Sequence, residues 1–553
     1  MPDRTLTRDG ARKITDLFSD KSRDAAVKAL VRRDRDPPTV SREKSVSIAA
    51  LSPDAKRFHG AKVSLRWFPW WLWRTRCSDR FGYMSSPATR RATKLPFTPE
   101  VQALLGRLGD FMADPARGSG QDSAIPAGYT YFGQFVDHDI TLDIASELDR
   151  EQDARTIPNM RSPSLDLDSL YGRGPALSTF LYRFPGPGEP PTAIRMLLGT
   201  NRPFGPGGSG GAVGQGGMKV SVDADLPRMV NPLDASRSTN TAVIGDPRND
   251  ENLIVSQFHH AMLKFHNAVV DSLIASGFDD DLFAEAKRIV THHYQWAVVH
   301  DFLKRVCGAP AVDAALAGVE APIGSAFSMP VEFAVAAYRF GHSMIRERYW
   351  INFNFVNETL AKVFEFARNP RLPVFSNWVV DFNAFFDTGF PVPVDNKAAK
   401  MDSVMAPGLD ALPGLSGMMA MLATRNLRRG LAMGLPSGQG MAKQFGVAAL
   451  TPAQLKQGVL PAEAALLDER DGLLLKRTPL WYYVLREAAV LRGGESLGPV
   501  GGRIVAETFV RMLKRDRDSF LRVDGGFQPT LPAAAAGNFT VADLLNVARV
   551  TAP

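Results

Sequence analysis

Cysteine is almost missing from this chain. Two residues, Cys77 and Cys307, stand far apart among 553, which excludes a disulfide framework and any cysteine-rich metal site and fits a reducing compartment. Long apolar runs are missing too: none approaches the roughly eighteen residues that a membrane span requires. The first residues, Met1 to Asp9, are charged and carry no apolar core segment, so no secretory signal is read, and a cytoplasmic or non-classically exported protein is expected. Alternating strand patterns are scarce. The net charge of +7 is spread and partly gathered in the first ninety positions, without the basic stripe and interleaved aromatics of a nucleic-acid binder.

What is present is ordinary globular composition, 45% hydrophobic and 22% charged, with room for a large core and a buried cofactor. Residues 1–80 read as a basic, aromatic-containing arm, partly disordered, and residues 81–553 as one large, mainly α domain with long loops and very little β. Within the arm, Trp67 to Trp73 is densely aromatic; its indoles suit packing onto the body or, flanked by arginine, peripheral contact with a membrane. Phe204 to Gly217 reads as a flexible loop and not a phosphate cradle, since it lacks the Lys-Ser/Thr ending. Helical spacing links Ile254, Phe258, Met262, Phe265 and Val269, and likewise Val331, Val335, Tyr338, His342 and Ile345.

Chemistry concentrates at Gln134-Phe135-Val136-Asp137-His138-Asp139. Residues four apart share a helix face, so Gln134 and His138 are expected to look into one cavity, with Asp137 and Asp139 turned to either side. Downstream, Ser162, Ser164, Asp166 and Asp168 place oxygens at every second position, a pattern that suits either a hard cation such as calcium, with Asp139 added, or a surface turn. Arg248, in the turn Gly245 to Asn252, is either a solvated side chain or a permanent cation for a cavity. His342, on an apolar helix, is a candidate metal ligand in its neutral form. Asn426 precedes two arginines. The six histidines His259, His260, His266, His292, His293 and His300 lack the carboxylate partners of a di-iron bundle and are read as packing or capping groups.

Taken in order, these segments resemble the animal haem peroxidase family of the peroxidase–cyclooxygenase superfamily, in its bacterial branch, from about residue 80 onward. The resemblance implies a haem peroxidase that reduces hydrogen peroxide and, through a ferryl state, oxidises small donors such as bromide, iodide, thiocyanate and phenols. It casts His138, Arg248 and Gln134 as the catalytic distal group and His342 as the iron ligand. Asn426 becomes the hydrogen-bond acceptor of His342, with Arg339 and Arg429 also on the haem side. Asp139, Ser162, Ser164, Asp166 and Asp168 become calcium ligands. Asp137 and Glu251 match positions that form ester links to haem b in many relatives.

Two departures shape the expectation further. Asn252 stands where the myeloid enzyme has a sulfonium-forming methionine, so chloride oxidation is expected to be weak or absent. The oxygenase branch, the alternative function, places a radical-forming tyrosine three residues before the proximal histidine; here that residue is Arg339, and Tyr338 lies one further back. Oligomeric state is not readable.

Overall fold

A computed structural model describes residues 80–114, 117, 120–201, 224–229, 240–365, 373–412 and 415–551, together with two short strands at 57–58 and 61–62. The Trp67–Trp73 segment, most of the expected arm, Cys77 and the Phe204–Gly217 loop lie outside the described residues. Helices dominate, and among the described residues strand pairing is confined to four two-stranded antiparallel ribbons, the longest joining Asp122–Pro126 to Lys397–Ala399. The mainly α expectation holds. No described helix is long and apolar enough to cross a membrane.

Seven unbroken helices of eleven residues or more, and one broken one, build the core: α1 (Pro99–Met112), α2 (Gly128–Ile140), α3 (Leu253–Ala275), α4 (Leu282–Ala297), α5 (Leu422–Ala432), α6 (Pro461–Lys476, broken at Glu469–Gly472), α7 (Leu480–Arg492) and α8 (Pro499–Arg515). The starts are readable from sequence. Thr98 and Asn252 accept the backbone N–H of Val101 and Val255, and Pro99 needs no N–H at its position. α3 is buried on nearly every side along its first four turns, which explains why its apolar pattern is continuous and not striped.

The orientation of α2 is set by rings. Phe132 and Phe135 meet Phe258 of α3 edge to face at 5.5 and 5.4 Å, and both meet Tyr294 of α4 at 6.2 Å. Such pairs contribute about 0.5–1.5 kcal/mol each beyond area burial. With that face committed, Gln134, Asp137 and His138 turn the other way. At its first turn, Gly128 lies against Phe386 and the Phe385 carbonyl; a Cβ there would sit 2.3 and 2.5 Å from them.

One expected helix departs from regular geometry. Residues around His342 form a π turn, Glu332–Ala336, followed by a 3-10 turn, Ala337–His342, joined where Ala336 adopts φ −130° and ψ −75°. The Arg339 guanidinium donates back to the Ala334 carbonyl at 3.0 Å, taking an acceptor at the break. Apolar spacing cannot register such a change of pitch, because each residue remains on the buried side. A second π turn, Val298–Phe302, extends α4 and carries Phe302 toward the same region.

α5 and α1 approach closely because Gly109 faces Thr424: a Cβ at Gly109 would lie 2.3 Å from the Thr424 hydroxyl and 2.8 Å from its backbone nitrogen. Asn426 is two residues further along α5. Gly109→Val is expected to destabilise the protein by about 1–3 kcal/mol through overpacking, read as a lower denaturant midpoint. An unchanged midpoint would contradict this close approach.

Candidate active site

A cavity opens between α2, the α3 start, the π/3-10 segment and α5. Its walls are mostly apolar, among them Phe302, Tyr338, Phe340, Phe364 and Leu422, with a few polar groups converging on it: Gln134, Asp137, His138, Glu251, Arg339 and His342. That balance is typical of a small-molecule or cofactor site. As expected, Gln134 and His138 share a face of α2. Asp137 also lines the cavity, its carboxylate accepting from Thr141 Oγ1 at 2.8 Å; burial raises its pKa, against the pull of Arg248 and Arg339.

Glu251 closes the distal wall. It accepts from Gln134 Nε2 and lies 3.7 Å from His138 Nε2. Asn252, the cap of α3, donates to Gln134 Oε1 at 3.1 Å, so a single side chain starts the helix and steadies the glutamine. Burial first, then the charge of Arg248, holds the His138 pKa down from 6.5 to about 3.

Arg248 is not among the cavity-lining side chains. It lies behind His138, 1% exposed, donating to the carbonyls of His138 and Thr141 at 3.0 and 2.7 Å and to the Asp246 carboxylate at 2.7 Å. Asp246 also accepts from Arg161, which in turn donates to Asp168 at 3.1 Å. Burial raises the carboxyl pKa of Asp246, but the two guanidiniums overcome this and hold it well below the usual range. Neither Arg161 nor Asp246 was picked out from sequence; their signal is only that each stands next to or near a motif residue.

The expected oxygen loop does gather acids. Carboxylate oxygens of Asp139, Asp166 and Asp168 lie within 4.8 Å of one another, and among the described residues no other trio of His, Cys, Asp or Glu is so placed. Ser162 Oγ donates to Asp166 at 2.9 Å, and Ser164 sits two residues before Asp166 on the same loop. Ser169, not anticipated, donates to Asp139 at 3.0 Å. Leu167 bridges the two loop aspartates in a left-handed conformation, φ 58°, though it is a buried leucine. Such strain costs about 1–3 kcal/mol and persists only where surroundings enforce it. Burial, then the neighbouring carboxylates Asp168 and Asp166, pushes the Asp139 pKa well above its ordinary value.

On the proximal side, His342 Nδ1 pairs with Asn426 at 2.8 Å, as expected, but with the amide nitrogen. The amide oxygen accepts from Arg339 Nη1 at 2.9 Å. The reversal has a simple cause: a guanidinium has only donors, so it claims the oxygen. Burial, then Arg339, keeps the His342 pKa well below 6.5. Arg339 itself is brought down to about 10 by burial and by the neighbouring cation Arg429. Arg429 donates to Asp143 at 2.9 Å and to Ser146, outside the cavity lining. Tyr338 lines the cavity with its hydroxyl donating to the Gly133 carbonyl at 3.2 Å.

The six helix histidines do not form a metal group. His292 and His293 bond the Asp518 and Ile289 carbonyls and His266 bonds Tyr171, in keeping with packing roles. His259 instead contacts Asn249, beside the cavity.

Removing one member of a buried, paired charge network strands its partners. Arg161→Met is therefore expected to cost about 3–5 kcal/mol, read by equilibrium unfolding. A loss below about 1 kcal/mol would show the Arg161–Asp246 pair to behave like an exposed one.

The description "animal haem peroxidase" fits residues 146–517 at the level of the family model. The chain is similar to a peroxidase-like protein of Margaritifera margaritifera, 27% identical over 254 residues, which is 39% of this chain and 31% of that protein. It is also similar to the chorion peroxidase of Drosophila melanogaster, 25% identical over 323 residues, 56% of this chain and 37% of that protein. The chain spans about a third of the length of these curated relatives. Among solved structures, peroxidase A from Dictyostelium discoideum superposes with a TM-score of 0.54 at 15% identity, covering 86% of this chain and 93% of that one. Fatty acid α-dioxygenase from Oryza sativa gives 0.50 at 13% identity, covering 80% and 77%. At those identities the superpositions speak for the fold alone. The family match over two thirds of the sequence settles kinship: this chain belongs to the animal haem peroxidase family.

Proposed function

We propose that this protein is a haem peroxidase that uses hydrogen peroxide to oxidise small donors (bromide, iodide, thiocyanate and phenols). One observation carries the reading: two neutral imidazoles, His138 and His342, line a single largely apolar cavity that also bears buried Arg339. The donor set suits haem. His342 offers Nε2 as iron ligand when its proton is on Nδ1, which requires the Asn426 amide to turn its oxygen from Arg339 toward His342. Arg339, disfavoured by burial and by Arg429, then gains from an anionic group such as a propionate. Bound there, haem supplies the redox chemistry.

The chain's own residues supply proton handling and alignment. His138 Nε2 is the proposed base that takes a proton from one peroxide oxygen and returns it to the other. Gln134, held by Glu251 and Asn252, organises solvent beside it. Arg248 secures the His138 backbone, and its charge is the proposed electrostatic support for the departing oxygen. Residues 134–139 precede the range matched by the family model, so their roles rest on this geometry.

Calcium is proposed at Asp139, Asp166 and Asp168 with Ser162 and Ser164. Three carboxylates so close repel one another, and a divalent cation relieves what Arg161 relieves only in part. Ester links through Asp137 and Glu251 are proposed on their shared place in the cavity wall. Asn252 has no thioether sulfur for a sulfonium link, which supports weak chloride oxidation.

The dioxygenase reading is less well supported. Burial first, then the nearby Asp137 charge, raises the Tyr338 pKa well above 10, and the phenol donates to a backbone carbonyl that cannot take its proton. Oxygen uptake with a fatty acid and no peroxide would reverse this order.

Absorption spectra with peroxide titration test the main roles. His342→Ala is expected to lose haem, and His138→Ala to keep haem but react with peroxide at least about a hundredfold more slowly. The same preparations should contain calcium by elemental analysis and retain haem through acidified acetone after peroxide treatment. A His342→Ala protein with full haem content would sink the ligand assignment.

Because the His138 pKa is held near 3, the base stays neutral as pH falls from about 8 to about 5. The rate of peroxide reduction is expected to be flat across that window and to decline only toward pH 3. A midpoint close to 6.5 would contradict a buried neutral base.

A further inference from the structure

His138 faces the cavity with one ring nitrogen and a buried amide with the other. Its Nδ1 lies 2.8 Å from Asn249 Oδ1, and Asn249 Nδ2 lies 2.9 Å from Nδ1 of His259. Asn249 and His259 are fully buried and His138 is 1% exposed. An amide oxygen only accepts and an amide nitrogen only donates, so this chain of bonds has one direction. His138 Nδ1–H donates to Asn249, and Asn249 donates to a lone pair on His259 Nδ1. The proton of His138 is then on Nδ1, and Nε2 is left as the acceptor.

We propose that Asn249 and His259 are positioning residues that hold His138 in the one tautomer able to take a proton at Nε2. The proposal rests on the reading of His138 as the base. If the amide turned over, its nitrogen would face His138 Nδ1, the ring proton would move to Nε2, and the cavity would meet a donor in place of a base. With its own proton on Nε2, His259 opposes this by offering at Nδ1 a lone pair that only the amide nitrogen can use. Three features keep it in that role. Burial keeps the ring neutral; a protonated ring would carry N–H at both nitrogens and oppose the amide. The Phe135 ring meets it edge to face at 5.8 Å and fixes its plane. Finally, Asn249 and His259 flank the start of α3, whose cap Asn252 bonds Gln134, so one eleven-residue stretch sets the orientation of two distal groups.

Cyanide association with the haem-loaded protein provides a test separate from turnover, because hydrogen cyanide must give its proton to the distal base as the anion binds. Stopped-flow rates are compared for the parent, His138→Ala, His259→Leu, His259→Gln and His293→Leu. His293 is another buried imidazole, bonded to the Ile289 carbonyl away from the cavity. His138→Ala is expected to be slowest. His259→Leu is expected to slow association by about 10–100-fold at unchanged haem content, the usual effect of losing a partner that orients a histidine. His259→Gln, which restores an acceptor, should recover most of the rate, and His293→Leu should match the parent. In zinc-protoporphyrin-loaded protein carrying 15N-histidine, His138 Nε2 should be unprotonated in the parent and protonated in His259→Leu. Parent-like cyanide rates in His259→Leu alongside a slow His138→Ala would overturn the tautomer role and spare the base. A parent-like His138→Ala would overturn the base itself. No recovery in His259→Gln, equal slowing in His293→Leu, or a protonated Nε2 in the parent would each reduce the pair to packing and overturn the proposal.

Discussion

Everything on the distal side hangs from the Asp246 carboxylate. Fully buried, it accepts from Arg161 on one side and Arg248 on the other. A lone carboxylate in that position would take up a proton, and a lone buried arginine would be costlier still. Together they are stable only as a set, and the set has two ends. Through Arg161 it reaches Asp168 in the acidic loop; through Arg248 it reaches the backbone of His138. The acidic loop and the last turn of α2 are thereby tied into one rigid unit before any ion or cofactor is considered. The strained Leu167 sits inside this unit: its left-handed backbone is spanned by the Asp168 N–H donating to Asp166 Oδ1 at 3.3 Å.

α2 divides its labour around that unit. Phe132 and Phe135 commit one face to α3 and α4, Asp139 joins the acidic loop, and Gln134, Asp137 and His138 are left for the cavity. The periodicity of the segment made this division legible in sequence: aromatic residues three apart on one side, polar residues three and four apart on the other. The same reasoning made α3 legible, from spacing and from an asparagine cap.

What sequence did not show was pairing across distance and change of pitch. Asn249, Asp246 and Arg161 carry no pattern of their own; they matter because residues 85 to 111 positions away come to rest beside them. The π and 3-10 turns before His342 were hidden because an apolar segment buried on one side looks alike at 3.0, 3.6 or 4.4 residues per turn. Direction of hydrogen bonding was hidden too. Asn426 was expected to accept from His342, and it was the competing donor Arg339, placed by those same turns, that reversed the amide. Arg248, expected at the cavity, stands one layer back, because Asp246 and two carbonyls at the end of α2 hold it there.

The fold alone does not separate peroxide reduction from fatty-acid oxygenation, since it superposes on a representative of each. The separation must come from which side chain near the cavity can exchange a proton. His138 is neutral, has a second nitrogen occupied by an acceptor, and presents the other nitrogen to the cavity wall beside Gln134 and Glu251. Tyr338 is equally close to the cavity, yet its hydroxyl is committed to the Gly133 carbonyl and stacked behind Phe333 at 4.7 Å. A phenol so placed gains nothing by losing its proton, because burial disfavours the anion and the carbonyl offers no base. Of the two groups, only the imidazole is prepared for proton traffic. That preparation is the work of burial and of Asn249, which is not itself among the residues lining the cavity.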